Sequence, residues 1–480
     1  MKILLIKPPL NPNILSTKTY EPLGLEYIAA SVEEYEVDIF DMRIEKNLEK
    51  KLRTFKPDVV GATAYTCDVN TVKRILNEVK LFDNKIKTLI GGHHATFIPQ
   101  DFAESFIDTI FLGYADQTFK EYIDILVNGG DIKGVNNIAL VENGGICFTE
   151  QQPVKVALDS LPMPARHLTQ KYRYRNTVQQ KVSLIMSSRG CPFRCTFCAC
   201  WKLMKGKYVT RSVDSLIDEL KSLPRSNRIV CFSDDNTIQD IKRAWKLTEM
   251  IKKHQIKKKF VMYARADTIV KHPDLMMSLK EMGVKSLTVG FESYKNDVLK
   301  KLNKGISAEI NNKAIRILKK IGINVLAQLI VDPGFSEEDF EELYQYVKDK
   351  CLFSPNFPVL TPLPGTDLFE ETCQQLAIRN YDYYDFAHSV LPTKLKRKEF
   401  YQQVIGLYKK SYSFKRFFHF QKIRSRRSRE SLEKSADFYA YNTDDTSFLK
   451  LVIVHLFLTF KIFKYKNIYK SEPLVGATIK

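Results

Sequence analysis

The sequence predicts an α/β protein with three parts: a doubly wound parallel, Rossmann-like sheet, a partial (β/α)6 barrel, and a helical, basic C-terminal region. Three observations carry this. Short apolar runs alternate with helical patterns from Ile3 onward, as in a parallel sheet covered on both faces. The same rhythm restarts at Val182 and yields six more apolar runs, and a stretch broken by prolines separates the two series. The expected parts are 1–135 for the sheet, 136–180 for a hairpin and linker, 181–375 for the barrel and 376–480 for the C-terminal region.

The first strand is Ile3 to Ile6, because the apolar run is too short, and too quickly broken by Pro8 and Pro9, for a secretory signal. A helix over Glu26 to Tyr35, a strand over Val37 to Phe40, a lysine-rich helix to Phe55 and a strand over Val59 to Ala64 follow. Thr71 to Leu81 has helical periodicity, Thr88 to Gly92 and Thr109 to Gly113 read as strands, and Gln117 to Val127 as a helix. Ligands bind beyond the carboxyl ends of such strands, which here carry Thr63, Tyr65, Gly91, Gly92 and Gly113. Simple turn chemistry explains the glycines equally well. Asn136 to Val141 and Ile146 to Thr149, divided by Asn143-Gly144-Gly145, read as a hairpin, and Asp159 to His167 as the linker.

In the second series the strands are Val182 to Met186, Ile229 to Phe232, Phe260 to Ala264, Ser286 to Phe291, Val325 to Val331 and Phe357 to Leu360, joined by helices. Chemistry in such a barrel belongs at the strand carboxyl ends. These ends carry Asp234 and Asp235, then Arg265, then Glu292 and Ser293, then Asp332, then Thr361 to Thr366. Two adjacent acids before a helix cap it as readily as they bind a ligand. Polar groups at five successive strand ends, however, line a mouth.

The first of these strands delivers Cys191-Pro192-Phe193-Arg194-Cys195-Thr196-Phe197-Cys198, with three of the nine cysteines spaced four and three apart. Three thiolates converging from one loop suit an iron-sulfur cluster with one iron left open. A zinc site wants a fourth protein ligand; Cys200 sits two residues on, where strand-like alternation would crowd it against Cys198. The odd cysteine count fits a reducing compartment better than a disulfide scaffold.

This spacing, with Phe197 just before the last cysteine, resembles the radical SAM superfamily. The resemblance implies that Cys191, Cys195 and Cys198 hold a [4Fe-4S] cluster and that S-adenosylmethionine chelates its open iron. It also makes Asp234 and Asp235 contacts to the methionine amine, Glu292 a ribose or amine contact, with Ser293 beside it, and Arg265 a carboxylate contact. A sheet of this size before the core is similar to the cobalamin-binding domain of the cobalamin-dependent branch, and Gly91-Gly92-His93-His94 to a stretch frequent there. Two departures stand out. The Gly-Glu-Gly-Glu of that branch is Gly113-Tyr114-Ala115-Asp116, and the Asp-x-His-x-x-Gly motif supplying cobalt's lower ligand in the mutases is Asp41-Met42-Arg43-Ile44-Glu45-Lys46. No lower histidine is expected from that motif, which is common in this branch.

Cys198 to Lys202, Pro333 to Phe340, Val359 to Thr366 and Ala387 to Thr393 look most like radical SAM methylases acting on hopanoids. The family chemistry implies a 5'-deoxyadenosyl radical that removes hydrogen from an unactivated carbon, followed by methyl delivery from methylcobalamin. The substrate so implied is a small hydrophobic, lipid- or terpenoid-like molecule; the alternative within the branch is an oxidative cyclase or rearrangement enzyme that uses the same radical without net methyl transfer. An external flavodoxin- or ferredoxin-type electron donor is implied as a partner. An RNA-modifying methylthiotransferase resembles this core too, but needs three N-terminal cysteines, where this chain has Cys67 and Cys147 before the loop, and an RNA-binding barrel.

The formal charge of +19, from 74 basic and 55 acidic residues, suits an anionic partner without choosing one. Lys409 to Arg429 mixes cations with phenylalanines, and Leu449 to Phe463 is apolar but too short to span a membrane comfortably. The preferred reading is a cytoplasmic enzyme held peripherally on the inner membrane face, with nucleic acid not expected.

Overall fold

The computed structural model describes residues 1–11, 20–142, 144–152, 157–175 and 180–413. The basic stretch from Phe414 onward and the apolar run Leu449 to Phe463, read above as a membrane-binding region, lie outside the described residues. No helix among the described residues is long and apolar enough to cross a membrane.

The N-terminal unit runs β1 (Lys2–Lys7), α1 (Leu23–Ala30), β2 (Glu36–Asp41), α2 (Leu48–Phe55), β3 (Val59–Thr63), α3 (Val69–Phe82), β4 (Lys87–Gly91), α4 (His93–Phe97), β5 (Thr109–Phe111) and α5 (Asp116–Val127). The hairpin strands β6 (Ile138–Glu142) and β7 (Gly145–Phe148) follow. The strands form one sheet in the order β2-β1-β3-β4-β5-β6-β7. The first five are parallel, and the hairpin extends the sheet antiparallel to β5. Why β1 is a continuous apolar run is plain from its packing. Ile3 and Leu5 enter one core and Leu4 and Ile6 the other, because successive side chains point to opposite faces and both faces are covered.

The second unit opens with β8 (Val182–Ile185), β9 (Ser188–Arg189), α6 (Cys200–Leu203), β10 (Val209–Thr210) and α7 (Val213–Ser222). It continues with β11 (Ile229–Phe232), α8 (Ile241–Lys253), β12 (Lys259–Ala264), α9 (Ala266–Lys271), α10 (Pro273–Met282), β13 (Val284–Glu292), α11 (Asn296–Lys301) and α12 (Ala308–Ile321). Then come β14 (Asn324–Leu329), α13 (Glu337–Asp349), β15 (Ser354–Asn356), α14 (Asp367–Thr372) and α15 (Arg397–Ser411). Six parallel strands in the order β15-β14-β13-β12-β11-β8 make an open, partial barrel. The sixth strand is Ser354–Asn356, ending just before the expected Phe357 to Leu360, where Val359 pairs with Val331 in an isolated bridge. Helix α15 covers the β15 edge: the Tyr408 hydroxyl accepts from Phe357 N (3.1 Å) and that of Tyr412 donates to the Pro355 carbonyl (2.5 Å).

The linker is tied to both units. Lys171 pairs with Asp38, the Tyr174 hydroxyl donates to Asp41 (2.9 Å), and Arg166 reaches Glu219 and the Leu184 carbonyl (2.6 Å each). Glu26 on α1 is buried here beside Glu21, Arg166 and Glu219, with one oxygen accepting from Thr169 (2.5 Å) and the other without a partner. Burial, then the Glu21 charge, push its pKa up to about 8. A carboxyl raised in the folded state contributes stability that is complete below its unfolded value of 4.5 and is lost as pH rises through about 8. Glu26→Gln therefore gains thermal stability relative to the parent as pH rises across that window. A melting-temperature difference independent of pH would contradict the assignment.

Candidate functional site

Gly190 carries the chain out of β9 into the cysteine loop. Its φ is +84°, and a Cβ there would stand 2.2 Å from the Lys207 carbonyl oxygen, so only glycine fits. The loop is closed by the antiparallel pairing of β9 with β10 and fixed from several sides. Gly190 N donates to Asp235 (2.9 Å), Thr196 N to the Leu302 carbonyl (3.1 Å) and Leu368 N to the Thr196 carbonyl (2.9 Å). Asn303 donates to the Arg194 carbonyl (2.7 Å) and the Trp201 indole to that of Cys195 (3.2 Å). Cys195 is buried and Cys191 and Cys198 are half-buried. The thiols feel one another electrostatically, and burial raises Cys191 to about 11. Among the described residues no three such side chains already surround a single metal ion. A cluster differs in that its thiolates bind separate irons and converge on a larger body.

Cys200 does not continue a strand. It opens α6, its thiol hydrogen-bonded to Cys198 and to Asp235, and the Cys198 bond, then burial, raise its pKa. Phe197 packs with Leu302, Leu360 and Leu368 beneath the loop.

The polar strand ends divide into two groups. Asp234 is buried and accepts from Ser187 N (2.7 Å), Ser187 Oγ (2.5 Å) and Ser188 N (3.0 Å), so both its oxygens hold the end of β8 rather than stand ready for an amine. Arg265 is likewise engaged: it reaches Asp267 (3.1 Å) and the Lys304 carbonyl (2.8 Å), and its guanidinium lies 3.5 Å from the centre of the Phe193 ring. Asp235, by contrast, is exposed. Glu292 is buried with φ +60°, a conformation costly for a non-glycine residue, at a register shift in β13. Its carboxylate meets Lys304 Nζ at 2.7 Å. Lys304 is buried too; desolvation opposes its charge, but Glu292 and the Cys195 thiol outweigh it and its pKa is raised. Nothing in the sequence distinguished it from Lys300 and Lys301 nearby. Ser293 accepts from Lys295 N (3.0 Å) and is buried beside Glu292.

In the N-terminal unit, Thr63 and Gly91 end β3 and β4, and Gly113 follows β5 with its N–H donated to Thr96 (2.9 Å). Gly92 has φ +103°, and a Cβ would come within 2.7 Å of Thr63 Oγ1 and 2.8 Å of the Ala64 carbonyl oxygen. The two histidines after it separate. His94 is buried between Thr66 (3.2 Å) and Asp101 (2.8 Å), whereas His93 lies against the Tyr65 ring, 5.4 Å between centres. Arg43, where the lower-ligand histidine would stand, is bound to Asp41 and donates to the Tyr20 carbonyl (2.7 Å).

The strand ends of the two units meet. The Asp235 charge acts on Tyr65, His93 and Tyr114 of the first and on Cys191, Cys198 and Cys200 of the second. Tyr65 is 53% exposed and Tyr263 41%, yet desolvation is the leading cause of the raised pKa of each. Both rings are open to solvent yet surrounded by protein, so they line a concave chamber where the strand ends of the two units meet. Burial lowers the His93 pKa in the same way, keeping the imidazole neutral.

The residues present fit three groups. The thiols, with Lys304 and Arg265 lowering the charge cost at Cys195, suit an anionic cluster. Glu292 with Lys304, and Asp235, offer both signs of charge to a zwitterionic amino acid. The glycine-lined strand ends, with the Tyr65 and His93 rings beside them, would hold a corrin.

Comparison with known proteins agrees. Residues 185–347 match the model of the radical SAM superfamily and residues 15–123 that of the B12 binding domain. The chain is 28% identical to the hopanoid C-3 methylase of Methylococcus capsulatus, over 85% of this chain and 81% of that one. It is 28% identical to the anaerobic magnesium-protoporphyrin IX monomethyl ester cyclase of Rubrivivax gelatinosus, over 81% and 72%. The fold matches that of TsrM from Kitasatospora setae, a radical S-adenosylmethionine methyltransferase solved with cobalamin and a [4Fe-4S] cluster, at a TM-score of 0.65 and 18% identity over 78% of each chain. The cofactors that follow are a [4Fe-4S] cluster, S-adenosylmethionine and cobalamin. With a B12 binding domain ahead of a radical SAM core, and the strand ends of both opening on one chamber, the chain belongs to the cobalamin-dependent radical SAM enzymes.

Proposed function

We propose that the protein methylates an unactivated carbon of a hydrophobic, lipid- or terpenoid-like substrate. One observation carries this: Asp235 stands between the strand ends of the two units, acting on Tyr65, His93 and Tyr114 on one side and on the cysteine loop on the other. A substrate in that chamber would lie between the residues that would hold the two cofactors, and the likeness to a hopanoid methylase supports the hydrophobic class. When bound, the cluster would supply one-electron reduction of S-adenosylmethionine and cobalamin would supply methyl-group chemistry.

The chain's own residues do the rest. Cys191, Cys195 and Cys198 hold the cluster, Glu292, Lys304 and Asp235 orient S-adenosylmethionine, and Thr63, Tyr65, Gly91, Gly92, His93 and Gly113 hold the corrin. Asp234 and Arg265 act at one remove, fixing β8 and the Lys304 turn. Tyr65, Tyr114 and Tyr263 would give apolar ring surface to a bound substrate, displacing water from the reacting carbon. Reducing power comes from an external electron donor.

A second reading, an oxidative cyclisation without net methyl transfer, is favoured by the likeness to the cyclase. Anaerobic purification from cobalamin-supplied cells, with iron, sulfide and cobalt measured on one sample, tests the cofactor content beneath both, with near-stoichiometric cobalt beside about four irons per chain as the expected result. Turnover separates the two: methyl transfer forms S-adenosylhomocysteine together with 5'-deoxyadenosine. Formation of 5'-deoxyadenosine and an oxidised product without S-adenosylhomocysteine would transfer the case to the oxidative reading.

A further inference from the structure

Arg189 is the last residue of β9, two positions before Cys191, and Asp116 is the first residue of α5 in the N-terminal unit. Their side chains form a buried bidentate pair, with Nη1 2.5 Å from Asp116 Oδ2 and Nη2 2.9 Å from Oδ1. The guanidinium carbon lies 4.3 Å from the centre of the Tyr114 ring, and Nε donates to Met186 Sδ (3.0 Å). Three of its five N–H groups and one face are thus engaged, by Asp116 and Tyr114 after β5 and by Met186 at the exit of β8. The pair joins the turn after β5 directly to the start of the cysteine loop.

Stability does not explain it. A buried ion pair is matched or exceeded by an apolar pair of similar volume, because desolvation offsets the attraction. Nor does it alone hold the units together. Glu21 accepts from Leu184 N, the His94 and Tyr381 rings meet at 4.7 Å, Asn70 donates to Asn380 (2.8 Å), and Arg211 donates to Tyr27 (3.2 Å). What a bidentate fork stacked on a ring adds is direction: it fixes distance and angle together, which a lysine or an apolar contact does not.

We propose that Arg189 and Asp116 are positioning residues that set the separation of the cobalamin face from the cluster loop; this rests on the reading that both cofactors serve one chamber. Asp116 thereby explains the departure at Gly113-Tyr114-Ala115-Asp116: the acid at the last place is a partner for Arg189, not a ligand.

The paired variant Arg189→Met with Asp116→Leu tests this on the full-length protein, since it removes both charges without leaving one buried alone. Iron and cobalt contents and 5'-deoxyadenosine formation from S-adenosylmethionine with a chemical reductant should stay at the parent's level. Two readouts should move. The cob(II)alamin electron-spin signal, relaxed by the reduced cluster nearby, should saturate at several-fold lower microwave power. S-adenosylhomocysteine formation from S-adenosylmethionine and reduced cobalamin should fall by about a hundredfold, the scale of a misplacement near 1 Å. Arg189→Lys, which keeps the charge but loses the fork, should move both readouts in the same direction as the paired variant. Unchanged saturation and unchanged S-adenosylhomocysteine in the paired variant would overturn the proposal. Absence of cobalt from the parent itself would overturn the functional reading beneath it, and the proposal with it.

Discussion

Alanine at Cys191, Cys195 or Cys198 is expected to remove the brown chromophore and nearly all bound iron, and to reduce 5'-deoxyadenosine formation to the level of buffer. The fall amounts to the whole catalytic acceleration, on the order of 10⁶-fold or more, because the hard step belongs to the cofactor. The fold should survive. The loop is held by backbone bonds from Thr196 to Leu302 and from Leu368 to Thr196, by Asn303 on the Arg194 carbonyl, and by the β9–β10 pairing, none of which involves a thiol. A melting temperature within a few degrees of the parent, measured with iron analysis on the same sample, checks this. Cys200→Ala should keep the cluster, since Cys200 opens α6 and bonds to Cys198 rather than standing as a further loop ligand. Retention of the chromophore in the three variants, or its loss in Cys200→Ala alone, would sink the ligand set.

The sequence made much of this legible, for identifiable reasons. Strands buried on both faces write themselves as uninterrupted apolar runs, so β1 and its neighbours were visible without periodicity. The cysteine loop was legible because its three ligands are local. What the strand ends would do was harder to see. Asp234 and Asp235 are adjacent and chemically alike, yet one is buried under three hydrogen bonds to Ser187 and Ser188 and the other faces the chamber. Arg265 stands at a strand end, where the sequence pattern points, while the cation paired with Glu292 comes from a turn twelve residues on. Pairings between distant segments, such as Arg189 with Asp116, leave no local trace at all. Cys200 illustrates the remaining difficulty, since alternation was assumed where a helix begins.

Lys304→Met has the second large expected effect. It leaves the Glu292 carboxylate buried, in a left-handed backbone conformation, without its partner 2.7 Å away. Removing one side of a buried pair costs about 3–5 kcal/mol, so the melting temperature should fall by several degrees or more, and cluster loading with it, because Phe197 and Leu302 pack beside this turn. Combining it with Glu292→Gln removes the stranded charge, and most of the lost stability should return. Affinity for S-adenosylmethionine should not. Charge-assisted hydrogen bonds are worth about 1.5–3 kcal/mol each, so losing both charges should weaken binding by roughly a hundredfold to ten-thousandfold in the variant whose fold is intact. The comparison separates two roles that a single substitution confounds. If the double variant recovers affinity along with stability, Glu292 and Lys304 serve only to shape the end of β13. If stability returns and affinity does not, the cost of holding Glu292 at φ +60° is tied to the ligand it faces.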